Sequence, residues 1–238
     1  GFLNTTAKGI DSSRPTHVKY MSMSAGYFDI ERLQSFFDIA GHDGNCGPRD
    51  IVFLDLCRSL YPGKPLVNTE IHIWYKDYDT VACVPWILAL HGLADGNWWC
   101  WHADERFSKT VGSAESMHAL TIPALDIRRL FHPYIHALVT KKQRVATLYP
   151  DVIAGRGWGV LDKFRYQIAP AQYSIGLQTF FATEKTIAGG VLEDHRILVA
   201  TEAGHVKDAT YAAILKYAKE GGTVITLPES FVTNEYGD

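Results

Sequence analysis

Glu70 closes a short apolar run, Leu66-Val-Asn-Thr-Glu70, and aromatic residues follow at once in Ile71-His-Ile-Trp-Tyr75. Such a run reads as a buried strand that presents a carboxylate at its carboxyl end, beside aromatic walls. A second rim of the same kind follows at Ala94-Asp-Gly-Asn-Trp-Trp-Cys-Trp-His-Ala-Asp104, after a helix-like segment from Thr80 to Leu93. A carboxylate among flat apolar walls suits a sugar ring. The walls stack on its face, and the carboxylate stands beside it. Glu70 is the candidate catalytic carboxylate of such a site. Cleaving a sugar also takes a second carboxyl, to protonate the departing oxygen.

Around Glu70 the candidate substrate-binding residues are His42, Asp43, His72, Trp74, Trp99, Trp101 and His102. Side chains alternate along a strand, so Trp99 and Trp101 share one direction and Trp98 points away. We expect the first two to face the site and Trp98 to pack. His42-Asp43 ends an earlier strand at the same rim, where it would orient the Glu70 carboxylate or bind a hydroxyl. His72 and His102 sit just past strand ends. An imidazole there can bind a sugar hydroxyl or simply complete the local hydrogen bonding. His91, in a helix-to-strand turn, reads as structural.

The elements that must hold these residues alternate. Thr16-His-Val-Lys-Tyr-Met-Ser-Met reads as a strand, and Phe28 to Phe37 as an amphipathic helix through Ile30, Leu33, Phe36 and Phe37. Asp38 to Asp43 is a short strand, and Asp50 to Leu60 a helix with Asp50 positioned to cap it. Tyr61-Pro-Gly-Lys-Pro ends that helix. Residues 16–104 thus give four strands separated by helices, a pattern that implies a parallel sheet with crossover helices. Residues 115–140 read as a long helix interrupted near Pro123 and Pro133. Strands are then expected at Arg144–Tyr149, Arg196–Thr201 and Thr223–Leu227, with helices at Gln172–Thr183 and Lys207–Glu220. Gly221-Gly222 supplies the left-handed stop of the last helix. This second set forms a small doubly wound α/β unit.

Composition excludes several classes. The chain of 238 residues is 47% hydrophobic, enough to bury one large domain or two. A net charge of −3 offers no basic field for nucleic acid, and Arg128-Arg129 and Lys141-Lys142 read as solvated faces. No apolar run is long enough to span a membrane, and residues 1–20 lack the apolar core of a signal peptide. The four cysteines, Cys46, Cys57, Cys83 and Cys100, have no Cys-x-x-Cys spacing and are expected to be buried free thiols. No metal or organic cofactor is suggested, since this chemistry needs only carboxyls and shape.

Residues 16–140 resemble the last four strands of a clan A glycoside hydrolase barrel, with the closest likeness to the family 42 β-galactosidases. Leu66-Val-Asn-Thr-Glu70 matches that family's strand-7 pattern, whose Glu is the nucleophile. Ala89-Leu-His-Gly-Leu-Ala-Asp-Gly-Asn-Trp-Trp-Cys-Trp101 matches the passage into strand 8. Residues 144–238 resemble the glutamine-amidotransferase-like domain that follows the barrel and mediates trimer formation, through Gly189-Gly-Val-Leu-Glu-Asp-His-Arg-Ile-Leu-Val and the Lys-Tyr-Ala-Lys-Glu-Gly-Gly-Thr-Val-Ile ending. The resemblance implies residues 1–140 as the carboxyl-terminal part of a (β/α)8 TIM barrel. Residues 141–238 would be an amidotransferase-like domain, incomplete at its carboxyl end.

By the same resemblance the activity is retaining and exo-acting on β-glycosides, with a carbohydrate substrate, and the assembly is a homo-oligomer, a trimer. The family's acid/base Asn-Glu pair has no counterpart in residues 1–140. Asn234-Glu235, the one Asn-Glu in the chain, follows the last strand of the second domain. A companion chain or fragment carrying the amino-terminal strands is therefore expected. A non-catalytic carbohydrate-binding or assembly module is the alternative. All four Cys precede Trp101, so the second domain has no thiol for glutamine hydrolysis.

Overall fold

The computed structural model describes residues 29–44, 47–72, 77–99, 114–154 and 162–238. The expected strand at Thr16–Met23 lies outside them, as do Cys46, Trp74, Cys100, Trp101 and His102. The described residues fall into two compact units, one holding Glu31–Lys141 and the other Lys142–Asp238 together with Asp29 and Ile30, where the first helix begins.

The first unit runs α1 (Ile30–Ser35), β1 (Ala40–His42), α2 (Pro48–Leu60), β2 (Leu66–His72), α3 (Tyr78–Leu90) and β3 (Leu93–Trp99). The three strands pair in parallel in the order β1-β2-β3. Helix α2 is buried all round from Asp50 to Cys57, as a helix apolar on every side must be. Asp50 does not cap it: the cap is Gly47, in extended conformation, and Asp50 is buried in the first turn. Asp55 lies fully buried in the same helix, and burying a carboxylate requires partners. It receives Arg58 Nη2 at 3.0 Å and His91 Nδ1 at 2.9 Å, which gives His91 a structural task.

Helix α3 begins earlier than expected, because Asp77 caps it by accepting from the amides of Asp79 and Thr80. It ends at Leu90, and Leu93 already belongs to the next strand. Helix α4 (Ala114–Asp126) carries Pro123 without a break. A π-helical turn at Ile127–Phe131 then leads into α5 (His132–Val139). The ring of Pro133 would clash with the carbonyl four residues back, at Arg129, and the widened turn holds that carbonyl away. Cys57 is buried, but Cys83 is exposed on α3, contrary to the expectation of buried thiols.

The second unit continues with β4 (Val145–Tyr149), α6 (Asp151–Ala154), a π-helical turn at Phe164–Ile168, α7 (Ala169–Ser174), β5 (Phe181–Thr183) and α8 (Glu184–Ala188). After a 3-10 turn at Val191–Asp194 come β6 (Ile197–Ala200), α9 (Asp208–Lys219) and β7 (Thr223–Thr226). Its parallel sheet has the order β5-β4-β6-β7 around a core that includes Leu148, Ile187, Leu198 and Ile214. Gly221, at φ 99°, stops α9 as expected. The helix expected over Gln172–Thr183 is not one element. It stops at Ser174, Gly176 turns the chain at φ 75°, and Phe181–Thr183 is a fourth strand. Three consecutive buried residues carry no alternation, so nothing in the pattern marked a strand there.

Glu184, fully buried at the start of α8, accepts the amide of Val152 at 2.9 Å on one carboxylate oxygen and that of Lys207 at 2.7 Å on the other. His195 is only 7% exposed, and its ring packs on Phe180 at 4.5 Å between centroids. No helix of the described residues is long and apolar enough to cross a membrane.

Two predictions arise from this packing. Gly41 in β1 has φ 130°, and a Cβ there would stand 2.0 Å from the Val67 carbonyl oxygen of β2. Gly41→Ala should therefore lower stability by roughly 3 kcal/mol or more, read from the urea midpoint. Burial holds the pKa of His195 below its ordinary 6.5, against smaller opposing pulls from a hydrogen bond to the Gln143 backbone and from Asp194. As pH falls through that value the unfolded chain takes the proton first, so stability present above it is lost on the way down to the folded-state pKa. Stability should fall as pH drops below about 6.5, and His195→Phe should flatten that slope.

Candidate active site

Glu70 stands near the carboxyl end of β2, the central strand of the three, and His72 is the strand's last residue rather than a residue beyond it. The pairing of β2 with β3 slips between Asn68 and Ile71: Asn68 is opposite Gly96, and Ile71 is opposite Trp98. Three steps along β2 match two along β3, so β2 carries an extra residue at Thr69-Glu70. A bulge of this kind bends its strand and re-aims a side chain. Beyond it, Ile71 and its partner Trp98 turn to the helices: Ile71 is fully buried, and Trp98 packs against Val81, Ala119 and Leu120. His72 and its partner Trp99 turn the other way, with their rings 5.9 Å apart.

On that second face His72 Nε2 is 2.9 Å from Glu70 Oε1. Asp43, one residue past β1, brings its carboxylate to the same place. One ligand-type atom each from Asp43, Glu70 and His72 lie within 4.8 Å of one another. Two carboxylates and an imidazole could hold a divalent cation, and they suit equally the recognition of hydroxyl groups. The Glu70–His72 hydrogen bond already engages two of the three. Trp99 is 39% exposed, so an aromatic face lies open beside the carboxylate.

The structure thus brings together Glu70, His72, Asp43 and Trp99 of the residues singled out by sequence, and it separates Trp98 from them as alternation required. His42 is in β1, paired with Asn68. Trp74, Trp101 and His102 lie outside the described residues.

One residue was not singled out by sequence. Asn68 is 0% exposed, and its side chain binds backbone on both sides. Its Oδ1 accepts from the Glu70 amide at 3.1 Å and from the Gly44 amide at 3.3 Å, while its Nδ2 donates to the Gly44 carbonyl at 2.9 Å. The signal was there: a primary amide inside an apolar strand must find partners when buried.

No family model matches the sequence, and no curated protein matches it. Solved structures do. An apo GH42 exo-carrageenase from Bacteroides ovatus superposes with TM-score 0.79 at 20% identity, over 99% of this chain and 39% of its own. The β-galactosidase of the psychrophilic Marinomonas ef1 gives 0.71 at 15% identity, over 100% of this chain and 43% of its own. The cold-adapted β-galactosidase of Rahnella sp. R3 gives 0.67 at 15%, over 96% and 38%. This chain therefore spans well under half the length of the glycoside hydrolases it matches. At these identities the likeness is one of fold: a mixed α/β chain with parallel sheets, similar along nearly its whole length to part of GH42 hydrolases.

Proposed function

We propose that this chain forms the nucleophile half of a retaining, exo-acting β-glycoside hydrolase of the β-galactosidase type. The observation that carries this reading is the Glu70 carboxylate near the carboxyl end of the central parallel strand, hydrogen-bonded by His72 and flanked by Asp43 and Trp99. In barrels of parallel strands, chemistry is built at that end. Glu70 attacks the anomeric carbon, the bond to the departing oxygen breaks, and a carboxyl elsewhere delivers the proton to that oxygen. Water then cleaves the glycosyl–Glu70 ester, activated by the same second carboxyl as base. His72 orients the Glu70 carboxylate, Asp43 binds a sugar hydroxyl or steadies the nucleophile, and Trp99 stacks on a ring face, with Trp74, Trp101, His42 and His102 as further sugar contacts.

On this reading the first unit is the carboxyl-terminal part of a (β/α)8 barrel. Among the described residues β1 and β3 each have one strand neighbour, whereas every strand of a closed barrel has two. The remaining strands, with the acid/base, come from a companion chain or from more of the same protein. The second unit, an amidotransferase-like domain without cysteine, serves assembly as a trimer. The exo-carrageenase superposes better than the two β-galactosidases do, which makes carrageenan saccharides, beside aryl β-galactosides, the first substrates to test.

The second reading is a non-catalytic sugar-binding or assembly module, in which the open face of Trp99 beside His72 holds a sugar without cleaving it. Native mass separates the two. Assemblies that include a chain bearing the other strands are expected, and a mass built only from 26.6 kDa chains would favour the binding module. In the completed assembly Glu70→Gln should lower turnover of an aryl β-galactoside by on the order of 10⁴-fold with folding intact. Undiminished turnover would remove Glu70 as nucleophile.

A further inference from the structure

We infer that Asn68 is the positioning residue of this site, setting the separation of Glu70 from Asp43 through the backbone of both strands. The inference rests on the reading of Glu70 as nucleophile. A bulge takes one residue out of the regular ladder and leaves its backbone groups in need of partners. The slip in β2 falls at Thr69-Glu70, and there the Glu70 amide turns to Asn68 Oδ1, two residues earlier in its own strand. A side chain capturing an amide two positions on is the local competition by which Asn draws backbone out of regular structure. Asn68 therefore holds the bulge that aims Glu70.

The rest of the amide reaches across the sheet. Oδ1 also accepts from the Gly44 amide, and Nδ2 donates to the Gly44 carbonyl, so both backbone groups of that residue are clamped to one side chain. Gly44 directly follows Asp43. Three hydrogen bonds from a fully buried group thus connect the backbone of the nucleophile to the backbone beside the neighbouring carboxylate. Asn68 acts through those backbones and leaves the reacting atoms to others. Its contribution is to hold two carboxyl-bearing segments, from two strands, at one distance.

The first test uses this chain directly. In wild type the amide hydrogens of Glu70 and Gly44 should exchange slowly. Both should accelerate together in Asn68→Ala and stay slow in Asn68→Asp, which keeps the accepting oxygen. Fast exchange of either amide in the wild-type chain, or unchanged exchange in Asn68→Ala, would overturn the clamp.

The second test uses the completed hydrolase. Misplacing a reacting group by about 1 Å costs about 100-fold in rate, so Asn68→Ala should lower kcat by about that factor with KM little changed. Asn68→Asp should recover part of the loss, a rescue that a purely structural role would not produce. Normal kcat in Asn68→Ala, with Glu70→Gln inactive, overturns the positioning role while the nucleophile stands. Activity in Glu70→Gln overturns the nucleophile, and the catalytic role of Asn68 with it, whatever the exchange rates.

Discussion

A parallel ladder presents each strand's amides and carbonyls to its two neighbours at even spacing. A side chain at the strand end can be re-aimed only where that spacing fails. In β2 it fails between Leu66 and Val67 and again between Asn68 and Ile71, and the second step carries Glu70. Ile71 goes to the helices and His72 to the opposite face, where it meets Glu70 and Trp99. The irregular backbone is stable because a buried amide side chain takes over the hydrogen bonding that the ladder gives up. Geometry at the rim is thus set inside the sheet, one layer below the groups that would touch a sugar.

The same rule governs the other buried polar groups. Asp55 in α2 stands where a helix buried on all sides gives no route to water, and Arg58 and His91 enclose it. Gln172 joins Thr147 and Thr179 in a fully buried chain of side chains that links α7 to β4. Such groups are costly when one partner is missing and nearly neutral when all are present, so each specifies an arrangement more than it adds stability. In both units the specified arrangement is the junction of a strand with the helix or loop beside it.

Legibility from sequence follows from these facts. Leu66–Glu70 was readable because an apolar run can end in a carboxylate only where the strand leaves the core, which puts the charged group at a rim. The partition of Trp98 from Trp99 follows from strict alternation. The bulge was not readable, since it is a property of two strands in register and leaves no mark on either alone. Asn68 was visible as a polar residue in an apolar strand, yet its role depends on Gly44, which lies far away in sequence and close in the sheet. Phe181–Thr183 was absorbed into a helix because three buried residues have no period. Pro133 suggested an interruption, and the helix answered with a wider turn instead, a response that Pro170 in α7 repeats after the turn at Phe164–Ile168.

Open parallel sheets bind their ligands in the crevice at the carboxyl ends of the strands, where the chain reverses its direction of travel across the sheet and helix amides point outward. In the order β5-β4-β6-β7 that reversal lies between β4 and β6, and the segments leaving those strands reach the amides of Val152 and Lys207. Both amides are already committed to the two oxygens of Glu184. The carboxylate at the start of α8 thus fastens the segment leaving β4 to the segment leaving β6. Thr210 adds a hydroxyl to the same carboxylate and draws α9 into the same fastening, so one buried charge sets the spacing of two strands and two helices.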